Sequence, residues 1–174
     1  MKRLKPLGDD EVVRIWEMTT FQHFQSLIDH NRRWGQVTII KFINRDVTHT
    51  GTEWICFGTG RGHLLVYHRS RKSVSEPTFH LFFFLMHSAK LEFKEYIHQE
   101  IFGAGDSVES FAFDPSAQNF AITSHYGRLQ VLRIEDGKFA KLWVDTFVDV
   151  IPRAVSFTDK GASIIIYMME SGMV

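Results

Sequence analysis

Three glycines within five residues mark the first place where this sequence could do chemistry. They lie in the stretch "WICFGTGRGHLLVYHRS", residues 54–70. A phosphate-binding loop leads from a strand into a helix, so that backbone N–H groups and the positive end of the helix dipole meet the anion. Here the glycines lead into a strand-like segment, and both the Gly-Lys-Ser/Thr of a P-loop and the spacing of a dinucleotide fingerprint are absent. We therefore interpret the stretch as a hairpin turn in which Gly60 and Gly62 adopt positive φ angles, and we expect no cofactor.

Metal and thiol chemistry find no support in the spacing of the ligand residues. The histidines have no compact ligand spacing, and neither a cysteine pair nor an HExxH helix accompanies them, so no metal site is expected. Cys56 is the single cysteine, and its apolar neighbours predict a small buried thiol in a reducing compartment. The histidines are His23, His30, His49, His63, His68, His80, His87, His98 and His125.

Covalent and acid–base catalysis also lack a supporting pattern. No G-x-S-x-G elbow is present. Ser124 and His125 are adjacent in a predicted strand, so their side chains point to opposite faces and do not form a catalytic pair. Asp145 and Asp149 flank the stretch "DTFVD", and their loop position predicts solvated carboxylates. We expect no catalytic residue and a protein that is not an enzyme.

The composition indicates one soluble, strand-rich domain. The 174 residues are 44% hydrophobic and 23% charged, and 16 phenylalanines favour half-buried strands. Lys+Arg and Asp+Glu number 20 each, so the net charge does not favour a nucleic-acid partner. The N-terminus lacks a secretory signal, and the apolar run at residues 79–89 is too short to span a bilayer. We expect an intracellular protein with no membrane partner, in the cytoplasm or the nucleus.

Short alternating segments separated by turn residues recur along the chain, which predicts an all-β fold. One of them, residues 21–27, also fits one or two turns of an amphipathic helix. The predicted strands cover residues 12–18, 21–27, 37–43, 54–60, 63–69, 90–98, 108–113, 119–125, 128–134, 138–144, 152–157 and 163–169.

These segments repeat with a period of 44 to 45 residues, as from Phe113 to Phe157 and from Gly127 to Gly172. The distance from Gly62 to Gly127 is 65 residues, so one repeat has a surplus of about twenty. The surplus contains a Phe-rich run at residues 74–89. It is either a loop insertion with an exposed apolar tip or translated intron sequence retained in a gene model, and we assign it no function.

The repeat resembles that of the WD-repeat β-propeller family, whose units are four-stranded blades of about this length. The segment "RIWE" ends with Trp16-Glu17, which is similar to the family's Trp-Asp dipeptide. Arg61 and Tyr126 stand where the family has an aspartate before the third strand, so its buried His–Ser–Asp–Trp network is not carried over. Later units have Tyr67-His68 and Leu132-Arg133 in place of the dipeptide, and "WGQVTIIKFIN", "DSVESFAFDP" and "IPRAVSF" resemble divergent fungal propellers.

The resemblance implies a partial β-propeller of about two complete four-stranded blades, with incomplete blades at both ends. The chain is then expected to be part of a longer propeller or a truncated gene product, and its exposed end blades favour self-association. The implied divisions are the end of a preceding blade at 1–30, a blade with the atypical insert at 31–104, a second blade at 105–146 and a truncated third blade at 147–174.

The same resemblance implies a non-catalytic scaffold that binds other proteins through loops at the blade rims. Arg, Tyr and Trp are frequent anchors of protein interfaces. The alternative is a nucleic-acid-binding propeller portion that uses the basic runs "NRRW" and "YHRSRK", although charges on edge strands also prevent strand addition. The candidate partner-binding residues are Arg32, Arg33, Trp34, Arg61, Tyr126, Arg128 and Arg153.

Overall fold

The computed structural model describes residues 11–71, 91–103, 105–158 and 160–170, which form twelve β-strands in four antiparallel sheets. No helix occurs within these ranges, and the predicted all-β class is confirmed. The Phe-rich run at residues 74–89 lies outside the described residues. The strands are β1 Val12–Glu17, β2 Gln22–Ile28, β3 Val37–Ile43, β4 Trp54–Thr59, β5 His63–Arg71, β6 Leu91–Glu100, β7 Val108–Phe113, β8 Asn119–Ser124, β9 Arg128–Glu135, β10 Lys138–Thr146, β11 Val150–Phe157 and β12 Ile164–Glu170.

The observed strands begin and end within two residues of the predicted ones. The ambiguous segment at residues 21–27 is a strand, because β2 pairs with β1 in a ladder that places Leu27 opposite Val13. Both side chains are buried. The apolar residues of this segment, whose spacing was also compatible with a helix, thus form the inner face of a β-hairpin.

Each strand pairs with the strand that follows it in the same sheet, so β3-β4-β5-β6 and β7-β8-β9-β10 are four-stranded meanders. β1-β2 and β11-β12 form two-stranded sheets. All six residues of β4 and five of the six residues of β8 are buried. These second strands are covered on both faces, which explains why "WICFGT" and "NFAITS" are nearly continuous apolar runs.

Three apolar clusters fill the seams between successive sheets, so the hydrophobic effect stabilises the stack rather than any single sheet. Large aromatic side chains dominate the first two seams. Representative members are Trp34, Phe57 and Phe93 in the first seam, Trp54, Phe111 and Phe120 in the second, and Leu129 and Val155 in the third.

β-bulges recur at two places of the repeat. A bulge adds one residue to one strand of an antiparallel pair. The first strand of a unit has its bulge near its start in β3, β7 and β11, and the fourth strand has one in β2, β6 and β10. β1-β2 therefore occupy the third and fourth positions of a unit, whereas β11-β12 occupy the first and second. The bulged residues are Thr38, Glu109 and Arg153 in first strands, and Phe24, Tyr96 and Leu142 in fourth strands.

Glutamine side chains tie the fourth strands of neighbouring units together. The amide of Gln25 donates to the carbonyl of Phe93 and accepts from its N–H, both at 2.8 Å. Gln99 makes the same two hydrogen bonds with Phe139, both at 3.0 Å. Two successive seams are thus closed at the outer edge by hydrogen bonds as well as by apolar contact.

Candidate interaction face

The antiparallel order places the turn between second and third strands at the same end of the sheet as the connection from a fourth strand to the next first strand. Backbone hydrogen bonds join the two: Gly60 N–H donates to Gln36 O at 2.7 Å, and His125 N–H donates to Ser107 O at 2.9 Å. We name this end the turn face. It comprises residues 29–36, 60–63, 101–103, 105–107, 125–128, 147–149 and 153.

Glycine is required at the same position of both turns. Gly62 has φ +77° and Gly127 has φ +79°. A Cβ atom on either would press against a backbone carbonyl, that of Phe102 or that of Phe147. Gly60 does not have a positive φ, so that part of the hairpin prediction is wrong. The strand that follows each turn confirms that the glycines serve a hairpin.

Trp34 is a core residue, and the expectation that it is exposed is wrong. Its side chain is 1% exposed and makes edge-to-face contacts with Phe57 at 5.0 Å and Tyr67 at 6.2 Å between ring centroids. The Trp34 N–H donates to the carboxylate of Asp29 at 2.7 Å. This bond turns the connection inward, so the indole packs into the first seam beneath the turn face.

Three of the predicted arginines face carboxylates that lie on the turn face or directly beside it. One pair lies within a connection, one joins a turn to a connection, and one joins two neighbouring sheets. In each pair the carboxylate is mostly buried. These arginines therefore stabilise the face in addition to displaying charge. The pairs are Arg33 with Asp29 at 3.6 Å, Arg128 with Asp106 at 3.7 Å and Arg153 with Glu109 at 2.6 Å.

Arg32, Arg61 and Tyr126 are exposed on the turn face, as the sequence predicted. The Arg61 guanidinium donates to the carbonyl of Arg32, so the two residues lie together. Gly35 permits this arrangement because a Cβ there would lie 2.9 Å from the Arg61 side chain. Tyr126 is 63% exposed in the equivalent turn of the next sheet. Besides the three carboxylate-paired arginines, the face thus displays two further arginines and one aromatic ring from neighbouring sheets.

Comparison with solved structures identifies the fold. No protein-family model and no curated protein matches the chain. The β-propeller domain of Cps50 (Swd1) from Myceliophteria thermophila is similar, with a TM-score of 0.63 at 11% sequence identity, and the match covers 94% of this chain and 46% of that chain. The chain is a partial β-propeller. The similarity concerns the fold alone, and the chain spans less than half of that propeller domain.

Each four-stranded sheet is one propeller blade, with β3–β6 as the first complete blade and β7–β10 as the second. Asp106 and Glu109 support the second blade at the turn face, and sequence reasoning missed both. The Asp106 carboxylate accepts the Tyr126 N–H at 3.1 Å, and Glu109 contacts the His125 ring at 2.9 Å. Their only sequence signal was a pair of carboxylates flanking the start of an apolar strand.

A cavity of about 260 Å³ opens beside Tyr126, where the second blade meets the connection to β11. Its lining combines apolar side chains with the carboxylate of Asp149. The cavity can therefore receive a side chain from outside the propeller. Its lining residues are His125, Tyr126, Phe147, Asp149, Val150 and Ile151.

Two histidines lie together beneath the turn face of the first blade. Nε2 of His98 is 3.2 Å from Nδ1 of His63, and the His98 ring also contacts Trp34. Burial lowers the pKa of both rings, and the nearby Glu95 carboxylate opposes this effect for His98. Among the described residues, no group of three His, Cys, Asp or Glu side chains is arranged to hold a metal ion. In the same part of the chain, no helix has the length and apolar character needed to cross a membrane.

Proposed function

We propose that the chain is a non-catalytic propeller scaffold of the WD-repeat type that binds a protein partner through its turn face. The observation that carries the proposal is the joint exposure of Arg32, Arg61 and Tyr126 on connections held by backbone hydrogen bonds. Arginine and tyrosine are among the side chains that contribute most to protein interfaces. Presentation on rigid connections reduces the conformational entropy lost on binding.

The WD-repeat part of the proposal is supported by the positions that residues occupy in the strands, and less by the residue types found there. The fourth-strand bulges place Trp16 in the same position as Tyr67 and Leu132. The turn before β9 lacks the family's aspartate, and Asp106 from the neighbouring connection supplies a carboxylate to it. These matching positions support the WD-repeat proposal although the signature residues differ.

The exposed arginines favour a partner segment that carries carboxylates. A guanidinium binds a carboxylate through two parallel hydrogen bonds, which gives both affinity and orientation. Arg61 is held in place by its hydrogen bond to the Arg32 carbonyl. The cavity beside Tyr126 is a place for an apolar side chain of the same segment.

The nucleic-acid alternative has less support. Arg33, Arg128 and Arg153 each face a carboxylate, which reduces the positive charge that the turn face offers to phosphates. Affinity for nucleic acid depends mainly on such charge and falls steeply with salt. Retention of the chain on immobilised RNA or DNA at physiological ionic strength would favour this alternative.

A charge-reversal experiment tests the protein-binding proposal. Arg61→Glu should reduce the amount of partner captured from a nuclease-treated lysate by at least about tenfold, because it removes a guanidinium and adds a repulsive carboxylate. Quantitative mass spectrometry of the captured proteins is the measurement. Arg45→Glu is the matched control, since Arg45 is exposed in the connection between β3 and β4, at the opposite end of the blade. Equal loss with both variants, or no loss with either, would contradict the proposal.

A further inference from the structure

The two-stranded sheets on opposite sides of the described structure are complementary halves of one blade. β11-β12 occupy the first and second positions, and the Val155 N–H donates to Ser110 of the preceding first strand at 3.3 Å. β1-β2 occupy the third and fourth positions, and Gln25 of β2 binds Phe93 of the next fourth strand. A sheet made from both halves would have the same four positions as each complete blade.

The β11-β12 side exposes apolar groups that complete blades bury. Ile164 and Ile166 pack toward the second blade, whereas Ile165 and Tyr167 point the other way and are 62% and 63% exposed. A cavity of about 440 Å³ separates β12 from the outer strands of the second blade, where Trp143 is 48% exposed. This cavity lies where the third strand of a complete blade would pack.

The β1-β2 side exposes the matching groups. Trp16 is 54% exposed and Phe42 is 57% exposed. Leu132, which holds the position of Trp16 in the second blade, is 1% exposed because the first blade covers it. Trp16 is thus an apolar third-strand residue that no described strand of a preceding blade covers.

We propose that two copies of this chain associate about a two-fold axis, with β1-β2 of each copy completing the blade begun by β11-β12 of the other. The described residues supply twelve strands per copy, so two copies supply twenty-four, which makes six blades of four strands. Propellers close with about four to eight blades, so the described strands of two copies are enough to close a ring. Head-to-tail contacts form a ring when the rotation closes. This inference does not depend on the proposed partner-binding function.

The complete blades predict the register of the new pairing. In the second blade, Ala121 of the second strand lies opposite Val131 of the third strand. Counted from the bulges, Ile165 holds the position of Ala121, and Ile15 holds the position of Val131. Ile165 of one copy therefore lies opposite Ile15 of the second copy. One position along, Trp16 lies opposite Ile164 and directs its indole into the cavity of about 440 Å³.

The oligomeric state tests the proposal directly. Light scattering coupled to size-exclusion chromatography should give twice the mass of one chain at micromolar concentration. Tyr167→Lys should give a monomer, because it places a charge in the new interface. Tyr126→Lys is the matched control: Tyr126 is equally exposed at 63% but lies on the turn face, and this variant should remain a dimer. A wild-type monomer, an open series of larger oligomers, or a Tyr167→Lys dimer would overturn the proposal.

Disulfide trapping keeps the proposal testable if Tyr167→Lys fails to fold. The double variant Ile15→Cys/Ile165→Cys should form a covalent dimer under mild oxidation, because opposite positions on paired strands suit a disulfide. The native Cys56 is fully buried and contributes no background. Each single variant should stay monomeric on a non-reducing gel. Equal cross-linking of single and double variants would overturn the register.

Discussion

Gly127 shows how a single residue determines the shape of a propeller turn. Its φ of +79° suits glycine, and the space beside its Cα is filled by the Phe147 carbonyl of the connection to the next blade. The Phe147 N–H donates to the Gly127 carbonyl at 2.8 Å, so the turn and the connection are bonded at this point. The recurrence of glycine in the repeat is therefore explained by geometry at the seam.

Substitution of Gly127 should be costly. Gly127→Ala should lower the free energy of unfolding by about 3 kcal/mol, because it combines left-handed backbone strain with displacement of a backbone carbonyl. Gly137→Ala is the matched control, since Gly137 has φ +73° but open space beside it, and the expected loss is about 1 kcal/mol. Urea unfolding measures both values. Equal losses would show that the seam does not constrain the turn.

The half-buried pair of His63 and His98 predicts a pH dependence of stability. Burial holds the pKa of each ring below the ordinary value of about 6.5, so the unfolded chain binds protons more readily than the folded chain. The stability that comes from burying the neutral rings is fully present above about pH 6.5. It is lost as the pH falls from that value toward the folded pKa, because the unfolded chain then binds protons first. Urea unfolding at several pH values between about 7.5 and 5 gives the free energy of unfolding as a function of pH. This free energy should change less with pH for the double variant His63→Asn/His98→Asn than for wild type. An unchanged pH dependence would contradict this assignment.

At the scale of elements, strands and turns were predictable because alternation and glycine turns depend on local sequence. The burial of Trp34 was not, because "NRRW" has the polarity of an exposed loop and its direction depends on the hydrogen bond to Asp29. The pairing of Arg128 with Asp106 and of Arg153 with Glu109 was also missed, since these contacts cross between connections and blades. Exposure of Arg32, Arg61 and Tyr126 was predicted correctly from their position in turns.

Glutamine side chains link the fourth strands of neighbouring blades by hydrogen bonds. Gln99→Ala should lower the free energy of unfolding by about 2 kcal/mol, because it leaves the Phe139 N–H and carbonyl without their partner. Gln118→Ala is the control, because Gln118 is exposed and should change stability by less than about 0.5 kcal/mol. Thermal unfolding of both variants measures the difference. A loss shared equally by the two would show that the bridge does not stabilise the seam.

At the scale of the whole molecule, stability arises between blades. β4 and β8 are buried on both faces because each is the second strand of a blade with neighbours on either side. The period of 44 to 45 residues in the sequence predicted this stacking. The sequence also predicted the end of a blade at residues 1–30 and the beginning of another at 147–174. The bulges in the folded strands add the position of each strand within its blade.

Native-state hydrogen exchange tests the stacked-blade arrangement most directly. The backbone amides of β4 and β8 should exchange at least about a hundredfold more slowly than those of β10, because β10 is the outermost strand of its blade and is largely exposed. Comparable protection of β4 and β8 is the expected result, since both occupy the same position in the repeat. Exchange of either strand as fast as β10, or slow exchange confined to one of the two blades, would contradict the arrangement.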